Sequence, residues 1–245
     1  MLAPILVKRL SSAWPAAYHI ELTRSGRGAA VTSGTAMTET SNSSSERRRR
    51  FAERAEGGGL ERGEWVAAAR RLLVAEGIQA VKIDRLAKAL GVTRGGFYWR
   101  FEDHKALLDA LVEDWRERNG LAMVAPLAGE GPPIERFRAF MRVLIDEVDF
   151  SPAYDMAARA WARTEPEVAA VVKAVDAERL AVLAALFRDA GWRPEEADVR
   201  ARITYYHQVG YYALDEQVPR AERYAASELY MQALTGFATG SGEAS

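Results

Sequence analysis

The side chains between Lys82 and Lys105 are of the kinds that read a polyanion without making or breaking a covalent bond. Lys82, Arg85, Lys88, Arg94, Arg100 and Lys105 stand among only three local acids, Asp84, Glu102 and Asp103. Ammonium and guanidinium groups neutralise phosphates and release counterions, which gives affinity for any nucleic-acid sequence. Thr93, Arg94, Tyr98 and Trp99 add hydroxyls, flat packing surfaces and a guanidinium that can pair bidentately with a guanine edge. Gly95 and Gly96 follow Arg94 directly. Two glycines inside a helix cost roughly 1 kcal/mol each against alanine, so the pair suggests close approach of the backbone to another molecule. The same composition also suits a helical hairpin that merely tolerates them.

Such groups need a rigid mount, and the flanking apolar residues supply one. Trp65, Ala69, Leu72 and Leu73 recur at helical spacing until Gly77. Ile83, Leu86, Ala87 and Leu90 mark a short second helix stopped by Gly91, and a third is expected from Thr93 to Phe101. A fourth is expected from His104 to Arg118, with Leu107, Leu108, Leu111, Val112 and Trp115 on one face. Ala87 is small where two helices must cross, and Gly91 can take the positive φ that ends a helix. Val92 fills the junction, and the Thr93 hydroxyl is expected to cap the third helix. Two short helices joined in this way form a helix-turn-helix, whose second helix stands out to enter a major groove.

The ordered set Leu86-Ala87, Gly91-Val92-Thr93, Gly95, Phe97-Tyr98-Trp99-Arg100-Phe101 and Leu107 resembles the DNA-binding domain of the TetR family of bacterial regulators, closely over residues 60–110. Two positions depart from the family pattern. Arg100 stands where the family usually has histidine, and His104 where it usually has lysine, with Lys105 next to it. Together the residues and the resemblance give Lys82, Thr93, Arg94, Gly95, Tyr98, Trp99, Arg100, His104 and Lys105 as expected DNA contacts. The resemblance further implies a double-stranded DNA operator, a homodimer built through the last two helices, and an effector pocket in the C-terminal part. Arg159-Ala160-Trp161 is similar to one branch of the family.

The rest of the chain reads as helix throughout. Gly129 to Pro133 break it, and further helices follow from Phe137 to Val148, Pro152 to Trp161, 165–190, Pro194 to Glu216 and Pro219 to Gly236. No alternating β-branched run of strand length competes. The expected fold is all-α, with an N-terminal three-helix helix-turn-helix domain at 60–103 and a larger helical bundle at 104–240. Residues 1–59 are rich in small and polar residues and read as a disordered tail, with Met37 a candidate start and a basic run at Arg47–Arg50.

Within the bundle, ITYYHQVGYYAL at 203–214 places Tyr206 and Gly210 on one face, where glycine permits close helix packing. His207 and Tyr211 face either that interface or a ligand. Trp115, Phe137, Met141, Met156, Trp161 and Tyr205 are candidates to line an apolar effector pocket, each also suited to plain core. Asp176, Glu178 and Arg179 read as a solvated or helix–helix charge cluster.

Composition narrows the function further. There is no cysteine, and the three histidines, His19, His104 and His207, are far apart, so neither thiolate chemistry nor a zinc site is expected. No nucleophile–base–acid set or phosphate-cradling loop can be assembled, so the chain is read as a non-enzyme without cofactor or metal. No apolar run is long enough to span a membrane, and a cytoplasmic regulator is expected. The net charge of −1 conceals a basic N-terminal part and an acidic C-terminal part, which suits a polyanion at one end. Two rivals stay open: a small all-α enzyme with its site near His207 and Tyr211, and a DNA-binding dimer without ligand.

Overall fold

The computed structural model describes residues 60–237. The expectations for residues 1–59, including Met37 and Arg47–Arg50, lie outside them. Nine α-helices and no strands are found among the described residues. They are α1 (Arg62–Glu76), α2 (Ile83–Leu90), α3 (Gly95–Tyr98), α4 (His104–Asn119), α5 (Pro133–Asp146), α6 (Pro152–Ala162), α7 (Pro166–Asp189), α8 (Pro194–Leu214) and α9 (Arg220–Thr235), with 3-10 turns at Ile78–Ala80 and Ala122–Ala128. None of these helices is long and apolar enough to cross a membrane.

Local chemistry sets the boundaries. Proline occupies the first turn of α5, α6, α7 and α8, where its missing N–H is no loss. Asp103 caps α4 by accepting the Ala106 N–H at 2.7 Å, and Ser151 caps α6 through the Tyr154 N–H at 3.3 Å. The helix-turn-helix corner is a Schellman turn. Gly91 is left-handed at φ 67°, its N–H donates to the Lys88 carbonyl, and the Val92 N–H donates to that of Ala87.

Two apolar cores hold the helices, and α7 runs through both. The first unites Trp65, Leu86, Phe97 and Leu107 with Trp115 on α4, Tyr154 and Trp161 on α6, and Val168 to Val175 on α7. The second joins Met123, Phe137, Phe140, Leu183, Phe187, Tyr205 and Met231. A break in packing is therefore absent at the expected domain boundary after residue 103, because α4, α6 and the first half of α7 complete the core beneath the helix-turn-helix. Each fully buried large apolar side chain contributes on the order of 1.5–3 kcal/mol.

A buried polar cluster ties these helices together, the helix–helix alternative for Asp176 and Arg179, while Glu178 is exposed. Arg179 is completely buried. Its guanidinium donates to the Gly120 and Asn119 carbonyls at 2.7 Å each, closing the C-terminal end of α4. It also donates to Asp155 at 3.0 Å and to the Tyr205 hydroxyl at 3.1 Å. Arg159 completes the cluster, donating to Asp155, to both oxygens of Asp176 and to the Tyr205 hydroxyl.

Candidate nucleic-acid interface

The surface that follows the Gly91 corner is exposed and lightly engaged by the rest of the chain. Phe97 is the residue of α3 that points inward, edge-on to Trp65 at 5.3 Å and stacked with Phe101 at 5.3 Å. That anchor leaves Tyr98 51% exposed and Trp99 86% exposed, so neither belongs to the core. Gly95 and Gly96 have no steric reason inside the protein. A Cβ at Gly96 would meet nothing within 4 Å, and one at Gly95 only the Thr93 hydroxyl at 3.7 Å. The turn from Thr93 to Trp99 is thus a rigid, protruding edge carrying a hydroxyl, a guanidinium, a phenol and an indole.

The third helix is corrected: it is one turn, Gly95–Tyr98, rather than Thr93 to Phe101, and it has no side-chain cap; Arg94, not Thr93, is its N-cap residue. Two of the expected contact residues are engaged within the chain, Arg100 first. Its Nε donates to the Leu60 carbonyl at 2.7 Å and its guanidinium pairs with Glu61 at 3.3 Å, so it straps the turn to the start of α1. His104 is likewise turned inward, its Nε2 lying 2.7 Å from the Val81 carbonyl oxygen.

The remaining cations divide by engagement. Arg85 is bidentate with Glu76, and Lys105 bridges Asp109 at 2.9 Å and Glu167 at 3.0 Å, contacts that raise the lysine pKa. Arg94 is held loosely, 3.5 Å from Asp84 and 3.4 Å from the Tyr98 hydroxyl. Lys82 and Lys88 are exposed and have no partner among the described residues. Lys82, Lys88, Thr93, Arg94, Tyr98 and Trp99 therefore form the available set. The acidic partners Glu61, Glu76 and Glu167 lie outside the local stretch and gave no signal in it.

Residues 66–111 match the family model described as bacterial regulatory proteins, tetR family. These residues form a DNA-binding region of the tetR type. No curated protein matches it. Among solved structures, the fatty acid degradation regulator FadR from Bacillus halodurans is 14% identical, with a TM-score of 0.55, over 75% of this chain and 99% of that one. The reduced form of NemR from E. coli is 15% identical, with a TM-score of 0.50, over 69% and 96%. BioQ with its double-stranded DNA operator is 25% identical over 73% and 99%, with a TM-score of 0.41. FadR and NemR show that this chain shares their fold.

In that larger part, the residues considered for an effector pocket do not all converge. Trp115, Phe137 and Trp161 are buried in the two cores, and Tyr205 is buried among Arg159, Arg179 and Asp176. Met156 and Tyr211 line a cavity of about 870 Å³ between the end of α5, α6, the second half of α8, residues 215–218 and the start of α9. Met141, His207 and Tyr211 line a neighbouring cavity of about 210 Å³. Burial lowers the His207 pKa. Sequence reasoning passed over Arg163 and Arg223 in the larger cavity and Gln208 in the smaller one. The spacing of Arg159 and Arg163, four residues apart at the end of α6, was the available signal.

Proposed function

We propose that this regulator works in the cytoplasm as a homodimeric repressor, reading a two-fold symmetric operator through Lys82, Lys88, Thr93, Arg94, Tyr98 and Trp99 and releasing it when a small molecule occupies the bundle. A stripe on α8 carries the dimer reading. Val199, Ile203, Tyr206, Gly210 and Leu214 fall on one helical face; the four large residues are each more than half exposed, and a Cβ at Gly210 would meet nothing within 4 Å. On α9, Leu229 is 70% exposed and Tyr230 is 45% exposed. Gly210 thus has no packing role within the chain, and a second copy would use the space it leaves. Two such helix pairs make a four-helix interface, in which apolar residues and tyrosines are favoured.

Release follows from linkage. The two reading turns must sit about 34–36 Å apart to meet successive major grooves. α4 connects the reading head to the bundle, and Arg179 closes its far end. A ligand that favours a different α4 position shifts the protein away from DNA, and a near-complete switch needs about 5.5 kcal/mol of differential affinity. Sedimentation at micromolar concentration tests the assembly. The wild type is expected at twice the chain mass, and Ile203→Asp at the chain mass with operator affinity lost. A monomeric wild type that still binds a palindrome tightly contradicts the proposal.

A further inference from the structure

The cavity of about 870 Å³ has a chemical polarity that names its ligand class. Its volume lies in the range of small-molecule sites. One wall is apolar, with Ile145, Met156, Val209, Tyr212 and Val218. Another carries Arg159, on α6, and Arg163, the residue that follows its end. Arg163 has no side-chain partner among the described residues, and its exposed guanidinium keeps all its donors. Arg159 spends four N–H bonds on Asp155, Asp176 and Tyr205, which leaves one hydrogen on Nη1.

Helix ends shape this cavity, and an orphaned donor lies beside it. Glu147 and Asp215, left-handed at φ 55° and 52°, are the C-caps of α5 and α8 and line it. The smaller cavity adjoins the larger one, sharing Ile145, Tyr211, Glu216, Val218 and Arg223 as walls. Gln208 lines it, and its Nε2 is buried without any hydrogen-bond partner. An orphaned buried donor is unfavourable, and a ligand's acceptor atom would relieve it.

We propose that the joined cavities take an organic carboxylate with an apolar body, its carboxylate held by Arg163 and the remaining Nη1 hydrogen of Arg159. This rests on the reading that the bundle answers to a small molecule, and it names which kind. The acids at the rim do not favour the opposite charge equally. Glu147 is paired with Arg223 at 2.8 Å, while Asp215, which accepts only from the neutral Gln217 amide at 2.8 Å, and Glu216 keep their charge at the rim opposite Arg159 and Arg163. The site is also wired to the reading head. The Asp155 carboxylate that holds Arg159 holds Arg179 as well, and Arg179 grips the last carbonyls of α4. A ligand that moves Arg159 therefore acts on the carboxylate that Arg179 shares.

Calorimetry of the full chain without DNA tests the site, with octanoate, octanamide and octylammonium as probes. Octanoate is expected to bind at least about tenfold more tightly than octanamide, the difference a charge-assisted pair gives, and octylammonium more weakly still. Arg163→Gln should reduce octanoate to the octanamide level. Arg142→Gln, which removes an exposed arginine outside both cavities, should match the wild type. The proposal is overturned if octanoate fails to bind at millimolar concentration, if the three probes bind alike, if octylammonium binds best, or if Arg163→Gln binds octanoate as the wild type does. DNA retention is measured separately on a selected operator. Arg163-dependent binding that leaves the DNA bound would keep the site and reject the release reading.

Discussion

At the scale of single residues, the reading edge separates into groups that specify and groups that only attract. Arg94 is exposed and loosely held, so it can leave Asp84 for a base edge at little cost. Arg94→Ala is expected to cost about 1–3 kcal/mol of operator affinity and to relax preference at one base pair of each half-site. Lys82→Ala should weaken all DNA sequences alike and reduce the salt dependence of binding by about one charge. Lys105→Ala should change it less, because Lys105 is already shared between Asp109 and Glu167. Competition binding across a salt series checks all three. The residue types of this edge were legible in the sequence. Their engagement was not, because the partners of Arg100 and His104 lie at Leu60, Glu61 and Val81, brought near only by the fold.

At the scale of elements, the punctuation of the chain was readable and the long-range joins were not. Gly77, Gly91, Gly191 and Gly236 end helices with positive φ where the sequence placed the stops. α3 came out shorter than its apolar spacing suggested, because Phe97 and Phe101 are anchors on either side of a turn rather than one face of a helix. Gly91→Ala should cost about 1–2 kcal/mol, since a Cβ there meets no atom and only the left-handed backbone is penalised. Urea unfolding measures it. Arg179 could not be identified as buried from its neighbours in sequence, because Gly120 and Asp155, which satisfy it, are 59 and 24 residues away. Arg179→Leu is expected to destabilise the protein by about 3–5 kcal/mol, since it leaves the Asn119 and Gly120 carbonyls and one Asp155 oxygen buried without their donor. A loss below about 1 kcal/mol in the same unfolding experiment would contradict the role of this cluster as the tie between α4 and the bundle.

At the scale of the whole molecule, buried tyrosines join stability to pH. Burial pushes the Tyr205 hydroxyl up to about 12, and it pushes Tyr154 and Tyr212 in the same direction. A tyrosine in the unfolded chain ionises near 10. The folded state therefore holds these protons more tightly, and their contribution is full below about pH 10 and lost as pH rises through the folded values. Tyrosinate absorbance and circular dichroism should show these tyrosines ionising together with alkaline unfolding; full titration near pH 10 in a folded protein would contradict their burial. Assembly belongs to this scale too: the all-α class and the shared face of Tyr206 and Gly210 followed from periodicity, whereas the exposure of Val199, Ile203 and Leu214 and the cavity between α6 and residues 215–218 required the fold. The central claim is that two copies of the edge from Thr93 to Trp99 read one DNA site. Its most direct test is selection of binding sites from random duplex DNA by the full chain and by Arg94→Ala. The wild type is predicted to enrich an inverted repeat whose half-sites are related by two-fold symmetry, and Arg94→Ala to lose preference at one symmetry-related base pair in each half. Enrichment of no sequence, or of a site without two-fold symmetry, or identical preference in the folded variant, would contradict it.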